Sequence, residues 1–246
     1  MNQVVQAPFF SIITVVRNAR DTIQDCIQSV EEQNFSDFEY IVIDGLSDDG
    51  TSELISKRMA SIDTYVREKD DGIYDAMNKA IAMSRGRYIG IINADDAYFK
   101  DTLLNVQKVL LEHPESQIVY GGVQILSEKG GSLFVDHTNL ERVMIAHPSC
   151  FVSVDTYRQL GSFDSSFKIA ADYDFMLRAR KAGVTFHNSG LLLAKYRPGG
   201  ASAKFRLQSI KEMITIQGRY LGWSPLYQGY RHVKYLGATF LKRANR

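Results

Sequence analysis

Asp95 and Asp96 are adjacent carboxylates that follow at once on a short apolar run, Tyr88-Ile-Gly-Ile-Ile-Asn-Ala. A run this short and rich in β-branched residues reads as a buried strand. Open α/β sheets bind ligands beyond the carboxyl ends of their strands, so such a strand would offer hard oxygen ligands to a divalent cation, Mg2+ or Mn2+. A plainer role is open to the same pair, the capping of the next helix. What favours chemistry is the company they keep. Asp44 closes another apolar run, Asp71 opens a helical stretch, and Asp172 and Asp174 lie near the start of a third. Two residues apart on a helix, Asp172 and Asp174 cannot face the same side.

The elements that would carry these residues follow from periodicity. Phe9 to Val16 reads as a first strand, and Ile23, Cys26, Ile27 and Val30 then recur at helical spacing behind Asp21 or Thr22 as a cap. Tyr40 to Asp44 repeats the pattern, followed by the turn-and-cap stretch Gly45 to Thr51 and a helix bearing Leu54, Ile55, Met59 and Ile62. A third strand near Thr64 to Arg67 precedes a helix in which Ile73, Ala76, Met77, Ala80 and Ile81 form one stripe. The run ending at Asp96 is the fourth strand. Strand and helix alternating in this way predict a parallel sheet with right-handed crossovers.

Beyond a helix from about Asp101 to Glu112 the rhythm changes. Gln117 to Ser127 and Ser132 to Val135 read as a hairpin, and His147-Pro-Ser-Cys-Phe leads into a strand. Ile169 to Ala182 reads as a helix ended by Gly183, with strands near Val184 to Asn188 and Leu191 to Tyr196 after it. Arg197-Pro-Gly-Gly-Ala-Ser-Ala-Lys204 has the composition of a mobile loop, fit for a lid or a plain connector. Beyond it the chain looks helical, with a break at Ser224-Pro225.

Composition sets outer limits. A chain of 246 residues with 45% apolar and 23% charged content suits a soluble globular protein of one large or two small domains. A net charge of +1 argues against general nucleic-acid binding, which needs a clustered basic surface. Cys26 and Cys150 fit buried free thiols in a reducing compartment. With no stretch of membrane-spanning length and no signal-peptide plan at the N-terminus, the expected location is cytoplasmic, at most peripheral on a membrane.

In order along the chain, Ser11-Ile-Ile-Thr-Val-Val-Arg-Asn-Ala19, Tyr40-Ile-Val-Ile-Asp-Gly-Leu-Ser-Asp-Asp-Gly-Thr51, Asp71-Gly-Ile-Tyr-Asp-Ala-Met-Asn-Lys79, Asn93-Ala-Asp-Asp96 and Ala171-Asp-Tyr-Asp-Phe-Met-Leu-Arg178 resemble the motifs of a family 2 glycosyltransferase. The resemblance covers roughly residues 9 to 200. It implies a GT-A fold, an α/β Rossmann-like and mostly parallel sheet with a mixed second half, here as a domain of residues 1–205 followed by a helical C-terminal extension, 206–246. It also implies transfer of a sugar, with inversion, from a nucleoside diphosphate sugar, expected to be a UDP-sugar, to a saccharide or lipid-linked saccharide acceptor.

Residue by residue, the resemblance places Asp44 at the donor base and Asp71 near base and ribose, where helix capping is an equal alternative. Asp95 and Asp96 match the metal-binding aspartates, one reaching the cation and the other the ribose or the cation's surroundings. Asn93 stands where the family often has a further aspartate, so it can hydrogen-bond a ribose but brings no charge. Asp172 matches the catalytic carboxylate, the base that accepts the acceptor's proton, with Asp174 next in line. His147 and Arg197 border the same region with lesser claims. A nucleotidyltransferase is the poorer alternative, because Val15-Val-Arg-Asn-Ala lacks the glycines of a phosphate loop. A non-catalytic nucleotide-sugar-binding subunit is a further alternative. Finally, Tyr230, Val233, Leu236, Phe240 and Leu241 fall on one side of an expected tail helix with Arg231, Lys234, Lys242 and Arg243 largely off it, suited either to an anionic membrane surface or to a second subunit.

Overall fold

The computed structural model describes residues 7–127, 130–200, 204–224 and 226. The tail helix expected over 227–246 lies outside the described residues. Strand β1 (Phe10–Val16) is buried along its whole length and sits mid-sheet. It pairs in parallel with β2 (Phe38–Asp44) on one side and β4 (Tyr88–Ile91) on the other, and β2 pairs in parallel with β3 (Thr64–Arg67). Successive residues of a strand point to opposite faces. Ile13 and Val15 therefore meet α3 (Ile73–Met83), while Phe10, Ile12 and Val16 meet α1 (Ile23–Glu31) and α4 (Thr102–Glu112). Burial of both faces is what makes these strands read as continuous apolar runs.

Past β4 the sheet becomes mixed. Strand β8 (Cys150–Ser153) runs antiparallel to β4 and to β6 (Ile118–Ile125), β9 (Phe186–Tyr196) is parallel to β6, and β5 (Ala97–Tyr98) is antiparallel to β9. The order is β3-β2-β1-β4-β8-β6-β9-β5, with β7 (Ser132–Leu133) completing the expected hairpin on β6. Helices α2 (Thr51–Ser56), α5 (Val154–Leu160), α6 (Ala171–Lys181) and α7 (Arg206–Leu221) complete the elements used below.

Several local expectations shift. The fourth strand stops at Ile91, and Asp96 N donating to Asn93 O at 3.0 Å turns the chain, so the paired aspartates sit in a turn rather than extended backbone. The two strands expected between 184 and 196 are one, because β9 stays paired with β6 past Gly190 by shifting register around Gly122. The strand expected from His147 begins instead with a 3-10 turn, His147–Ser149. Cys26 and Cys150 are free and buried, as expected of core thiols.

Candidate active site

The carboxyl ends of β1 and β4, the first turns of α3 and α6, and the chain leaving β9 enclose a cavity of about 1050 Å3. It opens between β1 and β4, where the strand order reverses because the chain runs from β1 out to β3 and returns to β4 on the other side of β1, the switch point at which doubly wound sheets bind ligands. Of the residues singled out from sequence, Asp71, Asn93, Asp95, Asp96, His147, Asp172 and Arg197 all line it. Asp44 and Asp174 do not.

The acidic turn is short of partners. Asp96 is 2% exposed, and its Oδ1 accepts the Arg197 backbone N–H at 2.9 Å while Oδ2 is buried with no hydrogen-bond partner. The side-chain oxygen of Asn93 is in the same condition. Burial pushes the Asp96 carboxyl up to about 7 and neighbouring Asp95 adds to the shift, against the Arg197 N–H and the Asn93 side chain. Burial raises the Asp95 carboxyl too, opposed by its own backbone and by Arg197 and Lys204. Chain 197–200 lies directly on this turn: Arg197 Nε reaches Asp95 O at 3.3 Å, and a Cβ on Gly200 would stand 2.5 Å from Asp95 Oδ2.

Two carboxylates, one with an unsupplied oxygen, fit a hard divalent cation. Among the described residues no group of three or more His, Cys, Asp or Glu is disposed to hold a metal unaided. The donor set therefore suits a cation that completes its shell with water and ligand phosphates, the usual manner of Mg2+.

On the opposite wall, Asp172 lies in the first turn of α6 and is 9% exposed. Its Oδ1 accepts from Tyr74 Oη and from Tyr173 N, each at 2.9 Å, and Tyr74 Oη lies equally 2.9 Å from Ile169 O. Burial raises the Asp172 carboxyl, with buried His147 and the Tyr74 hydroxyl opposing it. Burial likewise depresses His147, which Asp172 partly offsets. Asp174 turns away from the cavity, 3.1 Å from Arg219 Nη1 and 3.7 Å from Arg178 Nε.

Asp44 is not brought to the cavity. It is fully buried and already supplied with donors: Ser47 N at 2.8 Å on Oδ1, and Ser52 Oγ at 2.5 Å and Tyr65 Oη at 3.1 Å on Oδ2. It thus ties the β2–α2 loop together. Asp49, just before the N-cap Gly50 of α2, accepts from Thr51 N at 3.0 Å. Asp70, which sequence reasoning passed over in favour of Asp71, also lines the cavity; its Oδ1 accepts from Gly72 N at 3.0 Å, and it occupies space that a side chain on Gly45 would fill. Tyr74 was passed over too. It reads as one more apolar member of the α3 stripe, next to Met77 and Ile81, and only its hydroxyl sets it apart. Lys204 completes the cationic side of the wall.

This fold and this site define a nucleotide-type α/β protein with an acidic turn facing a buried carboxylate. Comparison with known proteins makes the class specific. The model of the family described as Glycosyl transferase family 2 matches residues 11–167, and the chain belongs to that family. It is a glycosyltransferase. The match takes in Asp71, Asn93, Asp95 and Asp96 and stops short of Asp172. The chain is 31% identical over 179 residues to a PGL/p-HBAD biosynthesis glycosyltransferase of Mycobacterium bovis, covering 70% of each. It is also 31% identical over 130 residues to the putative teichuronic acid biosynthesis glycosyltransferase TuaG of Bacillus subtilis, 51% of each chain. Among solved structures it resembles S. aureus TarS 1-349 in complex with UDP-GlcNAc, at TM-score 0.71 and 16% identity over 89% of this chain and 69% of that one. A mannosyltransferase of Pyrobaculum calidifontis in complex with GDP-Man and Mn2+ gives TM-score 0.69 and 18% identity over 89% and 66%. This chain spans 41% of the longer S. aureus TarS chain.

Proposed function

We propose that the protein is an inverting glycosyltransferase that moves a sugar from a nucleoside diphosphate sugar, a UDP-sugar first, to a hydroxyl of a saccharide or lipid-linked saccharide in cell-surface polysaccharide synthesis. The observation that carries this reading is the pairing, across one cavity, of an acidic turn with an unsupplied oxygen and a buried carboxylate held by a tyrosine hydroxyl. The names of the relatives support the reaction and the polysaccharide setting, and the UDP-GlcNAc and GDP-Man bound to the structural neighbours support a nucleotide-sugar donor.

Asp95 and Asp96 would hold Mg2+ or Mn2+, which when bound neutralises charge growing on the departing diphosphate. Asp70, Asp71 and Asn93 line the wall on the donor side, and Arg197 and Lys204 bring positive charge towards the phosphates. Asp172 accepts the proton of the acceptor hydroxyl as that oxygen bonds to the anomeric carbon and the bond from carbon to diphosphate oxygen breaks, the electron pair leaving with the diphosphate. Attack from the face opposite the leaving group inverts the anomeric centre. A carboxyl raised by burial is a stronger base for this task than an exposed one.

No helix among the described residues is long and apolar enough to cross a membrane. A cytoplasmic site of action, with contact to a membrane surface or a second subunit through residues 227–246, belongs to the same proposal. The test is release of nucleoside diphosphate from a panel of UDP-, GDP- and dTDP-sugars with Mg2+ or Mn2+. A donor-specific signal abolished by chelator supports the reading. Binding of a nucleotide sugar without turnover, for any saccharide acceptor or water, favours a non-catalytic subunit instead.

A further inference from the structure

The helix that carries Asp172 does not cap itself. A helix leaves its first amides without intrahelical acceptors, and these are ordinarily met by a side-chain oxygen at the N-cap. In α6 the N-cap is Ala170, which has no such oxygen. Within the first turn Tyr173 N donates to Asp172 Oδ1, and the three amides that lead up to the N-cap and include it are met by Glu212, in the middle of α7. Its Oε1 accepts from Lys168 N at 2.9 Å, and its Oε2 from Ile169 N at 2.9 Å and Ala170 N at 3.0 Å. Gln208, one turn earlier on α7, donates to Oε1 at 2.8 Å and fixes the carboxylate's orientation. Glu212 is 5% exposed. Burial alone would raise its carboxyl, yet the donors from Gln208 and the three backbone amides outweigh that and leave it below the ordinary value. A carboxylate at a helix N-terminus also complements the helix dipole.

The contacts of α7 bracket Asp172 on both sides. Before it, residues 168–170 are tied to Glu212. After it, Tyr173 Oη lies 3.2 Å from Gln217 Nε2 and Asp174 lies 3.1 Å from Arg219 Nη1. Asp172 alone of this turn's acids faces the cavity, where it meets Tyr74 Oη. Ile169 joins the two arrangements, since its N–H is held by Glu212 and its carbonyl lies at the same tyrosine hydroxyl that Asp172 accepts from.

We infer that Glu212 is a positioning residue for Asp172: it pins the 168–170 turn from the C-terminal helix, so that the carboxylate of Asp172 is presented to the acceptor side of the cavity in register with Tyr74. On this account α7 is part of the catalytic apparatus, although it contributes no reacting group. The inference rests on the reading of Asp172 as the base.

The test uses the full chain with its best donor and acceptor, and compares Glu212→Ala, Glu212→Gln, Asp172→Asn and the Glu212→Ala/Asp172→Asn double variant, all assayed well below their melting temperatures. Glu212→Ala is expected to lower kcat about tenfold or more with donor KM within about twofold, because the donor wall stands on β1, α3 and the acidic turn rather than on α7. Amide exchange at 168–170 should speed up in the same variant. Glu212→Gln, which keeps one acceptor oxygen, should recover part of kcat, and it serves as the informative variant if the alanine does not fold. In the Asp172→Asn background Glu212→Ala should cost nothing further, as coupled residues do. Unchanged kcat in Glu212→Ala, an equal penalty in both backgrounds, or a loss confined to KM overturns the positioning role. If Asp172→Asn is slow while Glu212→Ala is fast, only the positioning role falls; if Asp172→Asn turns over at full rate, the base assignment falls and takes the positioning role with it.

Discussion

Asp44 and Asp96 lie on opposite sides of β1, one at the end of β2 and the other just past β4, and they are almost equally buried at 0% and 2% exposed. Their oxygens are treated differently. Asp44 receives a backbone amide and two hydroxyls from its own neighbourhood, whereas Asp96 has the Arg197 amide on Oδ1 and the Asn93 side chain beside it, and its buried Oδ2 has no hydrogen-bond partner. Equal burial therefore hides a difference in the supply of donors, and a buried charge is stable only where hydrogen bonds or an ion meet it. Asp44 has its donors within the chain, whereas on the proposed reading the open oxygen of Asp96 takes a cation. Asp172 stands between them, with partial support from Tyr74 and His147.

Three experiments strain that contrast. The largest effect is expected for Asp96→Ala, which should reduce turnover by about a thousandfold, the scale of several kcal/mol of charge stabilisation. Its melting temperature in chelator should equal or exceed that of the parent, since the charge removed is one the fold does not satisfy. Nucleoside diphosphate release and scanning calorimetry read the two halves, and a large drop in melting temperature would place Asp96 with Asp44 as structural. Next comes Asp44→Ala, expected to cost about 2–4 kcal/mol of stability by orphaning the donors of the β2–α2 loop. Denaturant unfolding measures it. A normal unfolding curve with a greatly raised donor KM would instead show Asp44 acting on the donor base.

The smallest effect is a pH shift. With Asp172 as the proposed base, which works only when ionised, turnover should fall as pH drops through its carboxyl value, which burial holds above that of an ordinary aspartate. His147 opposes that rise. Its replacement by Asn should move the acid limb of kcat to higher pH, by less than one pH unit, and a limb displaced to lower pH would contradict the charge pattern described above. The profile is taken at saturating donor and metal.

Much of this was legible because it is local. Each helix of the first hundred residues buries one apolar stripe against the rest of the fold, α3 on β1 and β2, so the periodicities of Ile23 to Val30 and Ile73 to Ile81 report packing directly. Asp95, Asp96 and Asp172 stand out in the sequence by residue type and position, and all three line the cavity. What failed to show depends on distant partners. The pairing of β5 joins Ala97 to Lys195, and nothing in two residues advertises a strand. Gly190, in left-handed backbone at φ 68°, reads as a break between strands although β9 continues through it. Glu212 sits among lysine, glutamine and threonine on a helix that looks like solvated surface, and only the approach of Lys168 to Ala170 gives it a task.

Gly45 and Asp70 come from separate loops, yet each sets the room left for the other. A Cβ on residue 45 would run into the Asp70 carboxylate, so the glycine holds open a notch that the aspartate fills. Any larger residue at 45 must shift the Asp70 carboxylate, the mobile end of its side chain, or be matched by a smaller residue at 70, so the effect of a change at either position depends on its partner.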